Sequence, residues 1–201
     1  EGNLFGPKNK PNSSLGWLSI FGALLQRCEE LEPGIMNKMK GHKFIEFGPG
    51  LGFAGQLFSQ LFEVNGINYD LPVVTAVRGL CLEEYKNHNA DFFIEPEEIE
   101  RVEELERRVL SLDKYSFIST WAFTESPLSV REKFEGIIAN SNICVIVSNK
   151  EFSDIDNFNY LQEMAGRLKN HRHIKCDLGF LKSAPSFLKR HELHLYVSEE
   201  N

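Results

Sequence analysis

The chain lacks what several classes of protein require. Its four cysteines (Cys28, Cys81, Cys144, Cys176) are scattered over 201 residues without a Cys-x-x-Cys spacing, which argues against a structural zinc site or a redox dithiol. They read as reduced, mostly buried thiols in a reducing compartment. No apolar run reaches the roughly 18 residues that cross a bilayer, and the visible N-terminus does not read as a signal peptide. A cytoplasmic location without a membrane partner is therefore expected. Basic residues are in deficit, 22 Lys and Arg against 29 Asp and Glu for a net charge of −7, and form no basic stripe. Nucleic acid is thus an unexpected partner, and a small or neutral substrate suits the surface better. There is no internal repeat and no linker after residue 40. The chain opens on Glu1 rather than Met, as a segment of a longer protein would. Its length suggests one domain, residues 41–201, behind an N-terminal arm and helix, residues 1–40. The oligomeric state stays open.

The pattern that is present alternates strands with helices. Residues 1–14, with Gly6-Pro7 and Lys10-Pro11-Asn12, read as an extended arm. Leu15 to Leu31 is apolar at helical spacing and is stopped by Pro33-Gly34. Phe44-Ile45-Glu46-Phe47 is a short apolar strand ending near an acid. Gly48-Pro49-Gly50-Leu51-Gly52 then makes a loop, and Phe53 to Phe62 makes a helix. Further strands are expected at Ile67–Asp70, Asp91–Ile94, Tyr115–Trp121 and Ile143–Val147, with helices between them. The helix after the third strand is expected to start at Glu95-Pro96-Glu97-Glu98, with its acids at the positive end of the dipole. Its apolar face would be Ile99, Val102, Leu105, Val109 and Leu112. Ile143 to Val147 is apolar without alternation, as a strand covered on both faces reads. His173–Cys176 and Leu193–Val197 are late strands that suggest a closing antiparallel pair. The fold class is therefore α/β: a doubly wound, mostly parallel Rossmann-like sheet with an antiparallel C-terminal strand. Right-handed crossovers bring the glycine loop, Asp70, the Asp91 to Glu95 region and Ser119 to Glu125 to one edge.

The loop fits two fingerprints. Gly50-Leu-Gly52-Phe-Ala-Gly55 is a G-x-G-x-x-G after a strand and before a helix, and Asp70 lies about 20 residues on, as in dinucleotide sites. Glu46-Phe-Gly48-Pro-Gly50-Leu-Gly52 is instead acid-x-Gly-x-Gly-x-Gly, the mark of an S-adenosylmethionine site. An acid at Glu46 suits a ligand carrying an ammonium group and repels a pyrophosphate. Asp70 at a strand end can accept from both hydroxyls of a ribose, or can cap the helix that follows Leu71-Pro72.

Glu46 to Gly52 together with Tyr69-Asp70-Leu71-Pro72-Val73-Val74 resembles the class I S-adenosylmethionine-dependent methyltransferases. The Asp-Leu-Pro-x-Val element is similar to the small-molecule O-methyltransferases of the caffeate type. Phe117-Ile-Ser-Thr-Trp-Ala-Phe-Thr-Glu125 resembles the sugar O-methyltransferase families. The resemblance covers residues 43 to about 150. It implies that Gly48, Gly50 and Gly52 pack against the methionine part of the cofactor, that Asp70 holds the ribose and that Leu71 lies against the adenine. Asp91, or Glu95, would face the adenine amino group beside Phe92, which reads equally well as a core strand residue. Ser119, Thr120 and Trp121 would lie under the sulfonium. The caffeate type places a His-Asp pair after the fourth strand; this chain has Thr124-Glu125 there. The catalytic base implied is then Glu125, which could equally cap the next helix. Methyl transfer to a hydroxyl of a small molecule, a sugar or glycosyl intermediate, is the activity implied. An NAD-dependent oxidoreductase and a non-catalytic module of the same fold are the alternatives. Asn-Pro-Pro-Tyr and Pro-Cys, marks of nucleobase-modifying relatives, are absent. His171 and His173 alternate as metal ligands sometimes do, but no paired acids stand near, and no metal is expected. His191 and His194 are expected away from the cleft edge.

Overall fold

A computed structural model describes residues 12–88, 94–180 and 190–199. The chain runs α1 (Asn12–Leu31), α2 (Ile35–Met39), β1 (Lys43–Phe47), α3 (Phe53–Phe62), β2 (Gly66–Tyr69), α4 (Pro72–His88), β3 (Glu97–Ile99), α5 (Val102–Val109) and β4 (Tyr115–Thr120). It continues with α6 (Leu128–Ala139), β5 (Ile143–Asn149), a two-strand ribbon of β6 (Glu151–Phe152) and β7 (Ile155–Asp156), α7 (Asn157–Arg167), β8 (His171–Asp177) and β9 (His191–Ser198).

The main sheet has seven strands in the order β3-β2-β1-β4-β5-β9-β8. β3, β2, β1, β4 and β5 are mutually parallel, and β9 is antiparallel to both of its neighbours, β5 and β8. The expected α/β sheet with an antiparallel C-terminal strand is what forms.

Both faces of the sheet are covered. On one, Phe21, Leu24 and Cys28 of α1 meet Phe58 and Phe62 of α3 over Phe44, Val145 and Leu195. On the other, Leu105 of α5, Phe134 and Ile138 of α6 and Met164 of α7 pack on Ile45, Phe117 and Ile146. Alternate residues of β5 therefore enter opposite cores, and every one from Ile143 to Ser148 is buried. This explains why that strand is apolar without alternation.

The third strand and the following helix differ from expectation. Asp91 and Phe92 lie outside the described residues. Ile94 to Pro96 is irregular, and the strand is Glu97–Ile99, paired in parallel with Ile67, Asn68 and Tyr69. Of the acids expected at a helix start, Glu97 and Glu98 are strand side chains matched by distant cations. Glu97 accepts from Arg108 at 2.8 Å and from Lys43 at 3.4 Å, and Glu98 accepts from Arg78 at 2.6 Å. Ile99 is buried from the strand, and the helical face begins only at Val102. Long-range ion pairing outweighs the local helix signal here.

Gly66 at the start of β2 lies opposite Phe44 of β1, and a Cβ there would sit 2.2 Å from the Phe44 ring. Phe44 is buried and cannot swing to solvent. Gly66→Ala should therefore cost about 1–3 kcal/mol through overpacking. Urea denaturation would register this as a lower midpoint at unchanged slope; an unchanged midpoint would show that the core yields at this point.

Candidate cofactor site at the carboxyl edge of the sheet

The ends of β1, β2 and β4 converge on the loop after β1. Gly48, Gly50 and Gly52 have φ of 66°, 57° and 82°, a region that a Cβ disfavours. Gly48 is also pressed against the turn after β4: a Cβ on it would lie 2.0 Å from Cβ of Ala122. The Gly48 amide donates to the Tyr69 carbonyl at 2.8 Å, which ties the loop to the end of β2. Gly52 leads directly into α3.

Asp70 follows β2 and is mostly enclosed, its side chain 11% exposed. One carboxylate oxygen, Oδ1, accepts the Leu71 N–H at 2.8 Å. The other, Oδ2, accepts the Gly50 N–H at 3.3 Å and Nη1 of Arg78 at 3.0 Å. The carboxylate thus holds the glycine loop and bonds no amide in the first turn of α4 beyond that of Leu71. Oδ1 keeps lone-pair capacity for a further donor. Leu71 is exposed on the same edge.

Phe47, Gly48, Tyr69, Asp70, Leu71, Ala122 and Glu125 border a cavity of about 330 Å³ that Ser126, Pro127 and Val130 complete. That volume is within the range of small-molecule sites. A second cavity, about 460 Å³, lies between α5 and α6 beside Leu112, Tyr115 and Ile137. It is at the opposite edge of the sheet, away from the loops that follow the strands.

Glu46 is 1% exposed, and its two carboxyl oxygens make no hydrogen bond of ordinary geometry. A Cβ on Gly55 would come 2.7 Å from Oε2, so α3 makes room for the carboxyl by lacking a side chain there. Desolvation pushes this acid up to about 8; the Arg78 charge offsets part of the rise, and Asp70 and Glu98 add to it.

Arg78, which the sequence pattern did not single out, is fully buried under the loop. Nη1 donates to the Gly50 carbonyl at 2.9 Å and to Asp70, Nε and Nη2 donate to Glu98 at 3.0 and 2.6 Å, and Nη2 reaches Thr75 at 3.2 Å. Burial works against its charge, but Glu98 and Asp70 outweigh burial and hold the guanidinium above its ordinary value. Its signal in the sequence is position: Val74, Arg78 and Leu82 stand four apart on the inner face of α4, where a cation needs buried partners.

After β4 the chain turns sharply through Trp121, whose φ is 72°. Ser119 is buried; its hydroxyl donates to the Phe47 carbonyl at 3.0 Å and accepts the Phe123 N–H at 3.0 Å, stitching β4 to β1 and to the turn. Thr120 is half-buried at the end of β4, opposite Val147. Glu125 is exposed and accepts from the Asn149 amide at 3.4 Å. It makes no cap: Pro127 stands at the start of α6 with no side-chain cap. Arg131, also unmarked in the sequence, is fully buried and donates to the carbonyls of Thr124 and Ser126 at 2.6 and 2.8 Å and to Asn157 at 2.8 Å. It fixes the segment that carries Glu125.

Of the adenine-side candidates, Asp91 and Phe92 fall outside the described residues, and Glu95 is an exposed partner of Lys86 at 3.1 Å. The histidines depart from expectation. β9 runs antiparallel to β5, so His191 stands opposite Asn149 at the cleft end of β5, with its ring edge-on to Trp121 at 6.0 Å. His194 is buried deeper and bonded to His173 at 3.1 Å; burial pushes it down to about 3. His171 contacts the Ser141 carbonyl at 2.7 Å. Among the described residues, no group of three or more His, Cys, Asp or Glu could hold a metal ion, and no helix is long and apolar enough to cross a membrane.

A sheet ordered in this way, with one reversed strand between β5 and β8 and a glycine loop after β1, has the class I methyltransferase fold. The chain is similar to magnesium protoporphyrin IX methyltransferase (ChlM) from Synechocystis PCC 6803, solved with bound SAM, at a TM-score of 0.58 and 10% identity over 98% of this chain and 88% of that one. It is similar to the methyltransferase domain of bacterial CtHen1-C at 0.56 and 13% identity, over 82% and 94%. It is also similar to an O-methyltransferase family protein from Burkholderia thailandensis at 0.57 and 11% identity, over 94% of this chain and 60% of that one. At these identities the likeness is one of fold. No protein-family model and no curated protein sequence matches the chain.

The Glu46 carboxyl gives a pH prediction. The unfolded chain releases this proton near its ordinary value of 4.5, and the folded chain holds it to about 8. Between the two the native state binds more protons, so its contribution is full below pH 4.5 and lost as pH climbs through about 8. Glu46→Gln should flatten this fall and make the protein more stable than the parent at alkaline pH. Thermal melts across that range would show it; parallel pH profiles would rule the buried neutral acid out.

Proposed function

We propose that this chain transfers a methyl group from S-adenosylmethionine to a hydroxyl oxygen of a small molecule, a sugar or glycosyl intermediate. The observation that carries the reading is the loop of positive-φ glycines whose central amide is held by the Asp70 carboxylate. A ligand can approach the main chain closely at Gly50, where a Cβ would meet nothing within 4 Å, and Asp70 Oδ1 has lone-pair capacity to accept from a ribose hydroxyl. Glu46 lies buried behind the loop, where it would favour a cationic part of the cofactor only in its charged form. The residues present fit the cofactor, which when bound supplies an electrophilic methyl on a sulfonium.

What remains is done by the protein. The walls around Ala122 and Glu125 hold the acceptor, and most of the rate comes from orienting its oxygen. Glu125, exposed at the cavity and accepting from the Asn149 amide, would be the base that takes the acceptor's hydroxyl proton when the methyl leaves the cofactor sulfur for that oxygen. A sugar hydroxyl is a weak acid and gains more from such a base than a phenol does. The net charge of −7 favours a small acceptor over a polyanion. Against a nicotinamide-dependent oxidoreductase stands the reversed β9, since the dinucleotide fold is ordered 3-2-1-4-5-6 in a mostly parallel sheet.

Titration calorimetry with S-adenosylhomocysteine and with NAD separates the two cofactors. Heat with S-adenosylhomocysteine alone is expected; heat with NAD alone would sink the reading. Asp70→Ala should weaken S-adenosylhomocysteine by roughly tenfold or more, about 1.4 kcal/mol. Unchanged affinity would refute the ribose role.

A further inference from the structure

We infer that Arg78 is a positioning residue of the cofactor site: fully buried itself, it holds both the Asp70 carboxylate and the Gly50 carbonyl in the geometry that receives the ligand, with Glu98 as its opposite anchor. The inference rests on the cofactor reading above and adds to it a residue from α4 and another from β3.

The geometry is specific to a guanidinium. Arg78 Nη1 bridges Gly50 O at 2.9 Å and Asp70 Oδ2 at 3.0 Å, so a single nitrogen fixes the loop and the acid together. The other side of the fork, Nε and Nη2, takes both oxygens of Glu98. Glu98 is itself aligned by the Asn68 amide at 2.9 Å, its register partner on β2. The stem packs under the loop, where a Cβ on Gly52 would lie 3.0 Å from Cδ. Lysine would keep the charge but not the fork, and could not satisfy these acceptors in one plane. A fully buried cation that lost one anchor would pull on the other, so a change at Glu98 is felt at Asp70. Preorganisation of this kind acts on affinity, because the cost of ordering the loop is met on folding and not on binding.

The test is a double-mutant cycle read by calorimetry with S-adenosylhomocysteine, well below each variant's melting temperature. Arg78→Lys and Glu98→Gln should each weaken binding roughly five- to tenfold. Combined with Asp70→Asn, either should add less than its own single loss, because both act through the same carboxylate. A residue that served only folding would lower the melting temperature and leave the affinity of the folded protein alone. The inference is overturned if Arg78→Lys and Glu98→Gln bind within about twofold of the parent, or if their losses multiply in full with that of Asp70→Asn. Should Arg78→Lys fail to fold, the Glu98→Gln and Asp70→Asn cycle reads the same coupling. A parent protein that does not bind S-adenosylhomocysteine would overturn the cofactor reading itself, which is a separate outcome from weakened coupling.

Discussion

The site depends on one steric constraint: at Gly48 the chain after β1 touches the chain after β4 with no room for a side chain. A Cβ would fall 2.0 Å from that of Ala122, while the Gly48 amide is already bonded to the end of β2. Three strand ends are thus drawn to one point made of backbone. The positive φ of Trp121 turns the chain out of β4 at that point, and Ser119 bonds both the end of β1 and the start of the turn. The cavity beside it takes Gly48 and Ala122 as part of its wall, and the bonds that tie this backbone to its neighbours keep that wall fixed.

Legibility in the sequence follows the range of the interactions. The glycine loop is legible because positive φ is a local demand that a single residue type meets, and β5 because burial on both faces leaves a continuous apolar run. β3 is not, because Glu97-Glu98-Ile99 becomes a strand only through cations that lie elsewhere: Lys43 is 54 positions away, Arg78 is 20 and Arg108 is 11. Arg78 and Arg131 are not legible for the same reason, since an isolated arginine in a helix reads as a solvated charge until its acceptors are known. The position of His191 needed the place of β9 beside β5, which a bare strand pattern does not specify.

A polar row crosses one face of the sheet at β1, β2 and β3: Glu46, Asn68 and Glu98 are register partners. Such a row is costly beside an apolar core unless its members are paired. Glu98 accepts from both Asn68 and Arg78, Asn68 Oδ1 stays without a hydrogen-bond partner, and Glu46 avoids the larger cost of a buried charge by keeping its proton. The row therefore stores an ionisable group directly behind the loop, with Gly55 leaving the space for it.

The reversed strand has a consequence for how the molecule assembles. β8 joins the sheet only through β9, and β5 has β9 as its outer neighbour. β9 is the last strand of the sheet to leave a ribosome, so until it arrives the newly made β5 presents an open apolar edge and β8 has nowhere to dock. Closure is then a single late event that joins distant parts of the chain, which is slow by topology. The interval before closure is when the nascent sheet is most exposed to pairing with another chain.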